Sequence, residues 1–148
     1  MARPNWIGVG LCLLVSAPVL AEQAPAGRIK VASGKVFVLR AGTTSPINAG
    51  QVVFEADVLR TGADGRVGVT LKDDTRLSLG PSSEVRLDRF SYAPAEGKLA
   101  VVLNVVSGIV GYVSGHIAKL APDAIRIETP TAILGVRGTT LAIRVANP

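Results

Sequence analysis

The chain has 148 residues, which suits one domain with a single core and leaves no room for a second independent one. Charged residues are 18% against 48% hydrophobic ones, which excludes a disordered chain. The formal net charge is +5, but its basic residues are scattered and aromatics are only 4%, which excludes a nucleic-acid surface of clustered charge and stacking rings.

The first element is "MARPNWIGVGLCLLVSAPVLAEQ". One basic residue, Arg3, precedes an apolar run from Trp6 to Leu20, shorter than the roughly 20 residues that cross a bilayer. The run ends in Val19-Leu20-Ala21, small residues where a signal peptidase reads them. The segment therefore predicts a signal peptide over 1–21, cleaved after Ala21, then a short linker over 22–27 and one β domain over 28–146. The competing reading keeps the run as an uncleaved anchor. Cys12 follows Leu11 rather than a small residue, which argues against a lipoprotein, and it leaves with the leader. The mature chain then has no disulfide or thiolate chemistry, no transmembrane helix and a net charge of +4, and its expected location is periplasmic or secreted.

Beyond the leader the dominant period is two. "RVGVTL" sets Val67, Val69 and Leu71 on one side, "TRLSL" does so with Leu77 and Leu79, and "EVRLD" with Val85 and Leu87. Turn residues separate these runs at Gly62 to Gly65, Lys72 to Thr75, Gly80 to Ser83 and Pro94 to Gly97. The Asp73-Asp74 pair falls in one of these turns and reads as a solvated bend. No segment has a helical period. The fold class is all-β: short, mainly antiparallel strands in a β-sandwich or a β-solenoid-like roll.

Leu99 to Leu120 differs from the rest, being apolar on both faces, and is expected to run through the middle of the fold, covered on both sides. Ser-Gly recurs between apolar residues at Ser33-Gly34, Ser107-Gly108 and Ser114-Gly115, which suggests tight bends using positive φ and a chain coiling in short rungs.

Near the end, "AIRIE" alternates Ile125 and Ile127 with Arg126 and Glu128, Pro130 stops it, and "TTLAIRV" alternates again from Thr140. Between them Gly135 and Gly138 flank Val136-Arg137 and predict a corner. Gly135, Arg137, Gly138, Thr139 and Thr140 form its candidate structural or interaction set. Arg137 is expected to donate its five hydrogens to loop carbonyls more readily than to act as a recognition residue, with Thr139 and Thr140 adding local bonds.

Chemistry is thin. His116 is the one histidine, which excludes a multi-histidine metal site, and no nucleophile turn surrounds Ser114. No enzyme activity, cofactor or metal is expected, since no nucleophile, base and orienting group can be named together.

The ordered motifs resemble the FecR domain family. They are Gly34-Lys35-Val36-Phe37-Val38, Leu59-Arg60-Thr61-Gly62 before "RVGVTL", Leu77-Ser78-Leu79-Gly80-Pro81-Ser82-Ser83, Gly108-Ile109-Val110, and "TPTAILGVRGT" from Thr129 to Thr139. One departure stands out: the acidic turn, often Asp-Gly-Ser or Asp-Gly-Thr in the family, reads Asp73-Asp74-Thr75 and leaves the turn type open. The resemblance implies an extracytoplasmic, non-catalytic β module. In the founding members it serves a regulator that relays receptor occupancy to a sigma factor, with a cytoplasmic anti-sigma segment ahead of a membrane span. This chain has only five residues before Trp6, so that role is not carried over. The expected function is binding to another envelope protein. The alternative is an envelope polysaccharide or anionic surface, with Arg137 and Tyr112 as contacts. No nucleic-acid partner is expected.

Overall fold

The computed structural model describes residues 23–137 and 140–146. The strands, in chain order, are β1 (Gly27–Ser33), β2 (Val36–Arg40), β3 (Thr43–Pro46), β4 (Val52–Val53), β5 (Val58–Thr61), β6 (Arg66–Leu71), β7 (Arg76–Leu79), β8 (Glu84–Ala93) and β9 (Lys98–Val113). A short helix α1 (His116–Leu120) follows, then β10 (Ile125–Glu128), β11 (Ile133–Gly135) and β12 (Thr140–Val145). The leader predicted over 1–21 lies outside the described residues.

The strands form one curled, mainly antiparallel sheet, a half-barrel whose two halves share β9. One half runs β4-β1-β6-β7, continues through the C-terminal part of β9 and ends at β12. The other runs β3-β2-β5-β8, through the N-terminal part of β9, to β10 and β11. Among these, only β10 lies parallel to its neighbour, with Ile125 opposite Val101. The all-β, mainly antiparallel expectation is met.

Two-residue periodicity decides what faces the inside of the curl. Val67, Val69 and Leu71 of β6, Leu77 and Leu79 of β7, and Val85 and Leu87 of β8 are all buried, and the residues between them are not. Each such aliphatic side chain contributes about 1.5–3 kcal/mol by leaving water. Asp57 closes the start of the domain: buried, it accepts the Phe54 N–H at 2.9 Å and two Arg40 N–H groups at 2.8 and 2.7 Å.

In β9 the inward side chains change parity. Val101, Leu103 and Val105 are buried, then Val110 and Tyr112. The switch is a β-bulge: Val85 faces Val105 but Glu84 faces Ser107, so Val106 is the extra residue. Gly108 completes it with φ +89, and its backbone lies so close to Ser83 that an added Cβ would come well inside 3.0 Å of that residue. The strand therefore does run through the middle, as expected, but it is not covered on both sides. The bulge turns Val106, Ile109 and Val113 outward, and all three are exposed.

The Ser-Gly recurrence does not mark equivalent rungs. Gly34 turns the chain from β1 to β2 with φ +68, Gly108 sits inside a strand, and Gly115 precedes α1 with an ordinary φ of −105. What Gly115 supplies is clearance, since a Cβ there would strike the backbone of the Asp73–Thr75 turn.

That turn corrects two expectations. Asp73 is fully buried rather than solvated. Its carboxylate accepts the Thr75 N–H at 3.1 Å, the Thr75 hydroxyl at 2.7 Å and the Ile117 N–H at 3.2 Å, while its carbonyl accepts the His116 N–H at 2.7 Å. The β6–β7 turn thus caps α1 from 44 residues away in sequence, and a five-residue helix forms where no helical period predicted one. Asp74 is the outward member, at φ +67, in the left-handed region that the family's glycine would occupy.

Tyr112, expected as a surface contact, is instead fully buried and offers no side-chain surface. Burial pushes its hydroxyl up to about 12, the Asp73 charge adds to this, and the neighbouring Thr75 hydroxyl offsets a smaller part. The Thr75 hydroxyl is already given to Asp73, and the Tyr112 hydroxyl has no hydrogen-bond partner among the described residues.

Candidate functional site

The C-terminal corner is built from β10 outward. Ile125 and Ile127 anchor β10 in the core, and the chain then reverses through a turn in which the Thr129 N–H donates to the Ala132 carbonyl at 2.8 Å. The Thr129 hydroxyl accepts the Ala132 N–H at 3.1 Å, so the turn is closed by its own side chain. β11 pairs back on β10 with Ile127 opposite Leu134. Glu128 faces Ile133 across this hairpin, and Ile133 is 68% exposed. Val136 then turns into the core and Arg137 out of it.

Two depressions meet at this corner. One, of about 630 Å³, is lined by Ser114, Ala118, Lys119, Pro122, Val136 and Arg137. The other, of about 340 Å³, takes in Ile125, Arg126, Ile133 and Gly135. Asp123 stands on the rim of both, with its carboxylate 3.8 Å from the Arg137 guanidinium.

Gly135 and Arg137 thus come together at the second depression, and Thr140 opens β12 opposite Val113. Gly138 and Thr139 lie outside the described residues. A Cβ on Gly135 would meet nothing within 4 Å, so close approach does not explain that glycine. The Arg137 side chain is 86% exposed and reaches Asp123.

His116 holds Nδ1 3.4 Å from an Asp74 carboxylate oxygen on the surface. Among the described residues, no three His, Cys, Asp or Glu side chains gather as metal ligands, and no described helix is long and apolar enough to cross a membrane.

The outer face of the β8 half carries three ion pairs, which leave exposed Arg89 as its unpaired cation among the described residues. Arg60 pairs with Glu84 at 2.9 Å, Arg126 with Glu128 at 3.2 Å, and Arg86 with Asp88. Sequence reading passed over these pairs, although Arg86-Leu87-Asp88 and Arg126-Ile127-Glu128 carry the signal: residues two apart on a strand share a face.

Residues 57–148 match the family model described as FecR protein, and the chain belongs to that family. The family is in general non-catalytic. No curated protein and no solved structure matches the chain. The matched range starts at Asp57, yet β1 and β2 ahead of it complete the two halves by pairing with β6 and β5.

Proposed function

We propose that the chain is exported to the periplasm, loses its leader after Ala21, and acts there as a non-catalytic module that binds another envelope protein. Membership of the FecR family supports the non-catalytic part. The observation that carries the binding part is the free edge of β11. Among the described residues β11 pairs with β10 alone, so its other edge offers unpaired N–H and C=O groups to an incoming strand. Exposed Ile133 and the adjoining depressions supply the apolar contact that such a strand needs. β3, β4 and β12 also pair on one side only among the described residues, and β11 stands apart from them by the exposed Ile133 and the depressions beside it.

A photo-reactive residue placed at Ile133 in the exported protein tests this. A discrete cross-linked adduct of one envelope protein is expected from position 133, and none from position 86 on the ion-paired face. No adduct at physiological salt, or equal labelling from both positions, overturns the reading. Amino-terminal sequencing of the exported product tests the leader, with Glu22 expected first.

A further inference from the structure

The two outer faces of the sheet differ sharply in how their charge is arranged. On the β8 half, Arg60, Arg86 and Arg126 each have a carboxylate partner, and Arg89 alone of that half's strand arginines has none among the described residues. On the other half the outward residues include Arg66 of β6, Arg76 of β7 and Arg144 of β12, and none of the three has an ion-pair partner among the described residues. Arg28 and Lys30 of β1 add to the same half. No outward position of β1, β6, β7, β12 or the C-terminal part of β9 is acidic.

Strand register gives this cationic face a furrow. Val31 faces Gly68, Gly68 faces Ser78, Ser78 faces Gly111 and Gly111 faces Ala142, a row running across five strands. At about 4.8 Å per strand it is about 19 Å long. Arg144 and Ile109 face each other on one side of it, with Arg66 further along. Arg76 stands between Thr70 and Val113 on the other side. A depression of about 460 Å³ opens over Gly68, Ser78 and Gly111, walled by Val31, Arg66 and Ile109. Exposed aliphatic groups therefore alternate with free cations: Val31 is 56% exposed, Ile109 42% and Val113 40%.

We infer that this face binds an extended acidic segment of a partner protein, with carboxylates reaching Arg66, Arg76 and Arg144 and aliphatic side chains set against Val31, Ile109 and Val113. Charge complementarity demands an anionic partner, because three unpaired guanidinium groups stand on one face with no carboxylate between them. Shape narrows the choice. A bilayer is flat and leaves a recessed row of glycine and serine unfilled. A glycan is held chiefly by aromatic faces, and no outward residue of these strands is aromatic. An extended peptide of about six residues spans the furrow at about 3.3 Å per residue and presents side chains to both walls. The inference rests on the protein-binding reading above but uses a different surface, so cross-links from Ile133 without peptide binding here would sink this inference and leave that reading standing.

The test is fluorescence anisotropy with the mature protein and labelled eight-residue peptides at low salt. A peptide alternating Glu and Val is expected to bind more tightly than one alternating Glu and Ser, and to lose affinity as salt rises. R66E and R144E should each weaken it about tenfold, and R86E on the ion-paired face should leave it unchanged. A142W, a substitution at an exposed site that fills the row without altering charge, should also weaken it at least about fivefold. Vesicles containing phosphatidylglycerol and an oligogalacturonate serve as competitors. Displacement of the peptide by either at lower concentration than by unlabelled peptide overturns the proposal in favour of a lipid or glycan surface. Equal binding of the two peptides, or no response to R66E and R144E in variants with wild-type circular dichroism, overturns it outright.

Discussion

Gly108→Ala should be among the most damaging single-methyl additions the fold can receive. The backbone at Gly108 has φ +89, where a residue with a Cβ costs about 1–2 kcal/mol. The new methyl would also lie 2.6 Å from the Ser83 Cβ and closer still to its Cα and hydroxyl. Backbone cannot rotate away as a side-chain tip can, so this overpacking adds about 1–3 kcal/mol. It also disturbs the Ser83 hydroxyl, which accepts the Ile109 N–H at 2.9 Å across the bulge. The sum, about 2–5 kcal/mol, is a large part of the 5–15 kcal/mol that typically holds a domain together. Gly97→Ala is the matched control: its φ is +68, but a Cβ there meets nothing within 4 Å, so only the conformational cost remains. Urea unfolding followed by circular dichroism, with unchanged m, reads both. Gly108→Ala should be less stable than Gly97→Ala by about 1–3 kcal/mol, the steric share alone. Equal losses at the two positions would refute the argument that contact with Ser83 fixes the bulge.

Asp73→Ala removes the acceptor of three hydrogen bonds and should cost about 2–4 kcal/mol. Trypsin should cut it after Lys119 faster than the parent, as α1 loses its cap, whereas Asp74→Asn should stay within about 0.5 kcal/mol of the parent. Tyr112→Phe should raise stability at neutral pH by about 1 kcal/mol, because the hydroxyl it deletes is buried without a partner; a loss of that size in calorimetry would contradict this. The folded state keeps Tyr112 protonated to about 12 against an ordinary value of 10.0. The unfolded chain therefore gives up its proton first, and stability falls as pH rises from about 10 to 12. Below that window the contribution is fully present and does not change with pH, and in Tyr112→Phe that part of the alkaline slope should vanish.

Periodicity made the fold class legible. The runs from Arg66 to Leu71 and from Arg76 to Leu79 alternate without a break, and each apolar residue in them is buried. Parity in β9 was not legible, because a run apolar on both faces looks the same before and after an inserted residue. Asp73 was misread for a different reason. Its decisive partner, the Ile117 N–H, is 44 residues away, and nothing local separates a buried carboxylate from a solvated one. At the corner, Gly135 and Arg137 were found by their oddity within a strand, yet the groove beside them depends on Asp123 and α1, which only the tertiary structure brings near. The cationic face stayed hidden because its arginines, at 66, 76 and 144, are dispersed along the chain and gathered only by strand register.

β9 belongs to both halves of the sheet, and this constrains how the domain can be made. Strands β1 to β8 are synthesised first, but β6 and β7 gather with β1 while β5 and β8 gather with β2, and the two groups have no common strand until β9 arrives. Neither group can close its hydrophobic interior early, so the emerging polypeptide stays open for most of its length. The export proposed above would draw on this delay, since a polypeptide whose core has not closed can still pass a narrow pore.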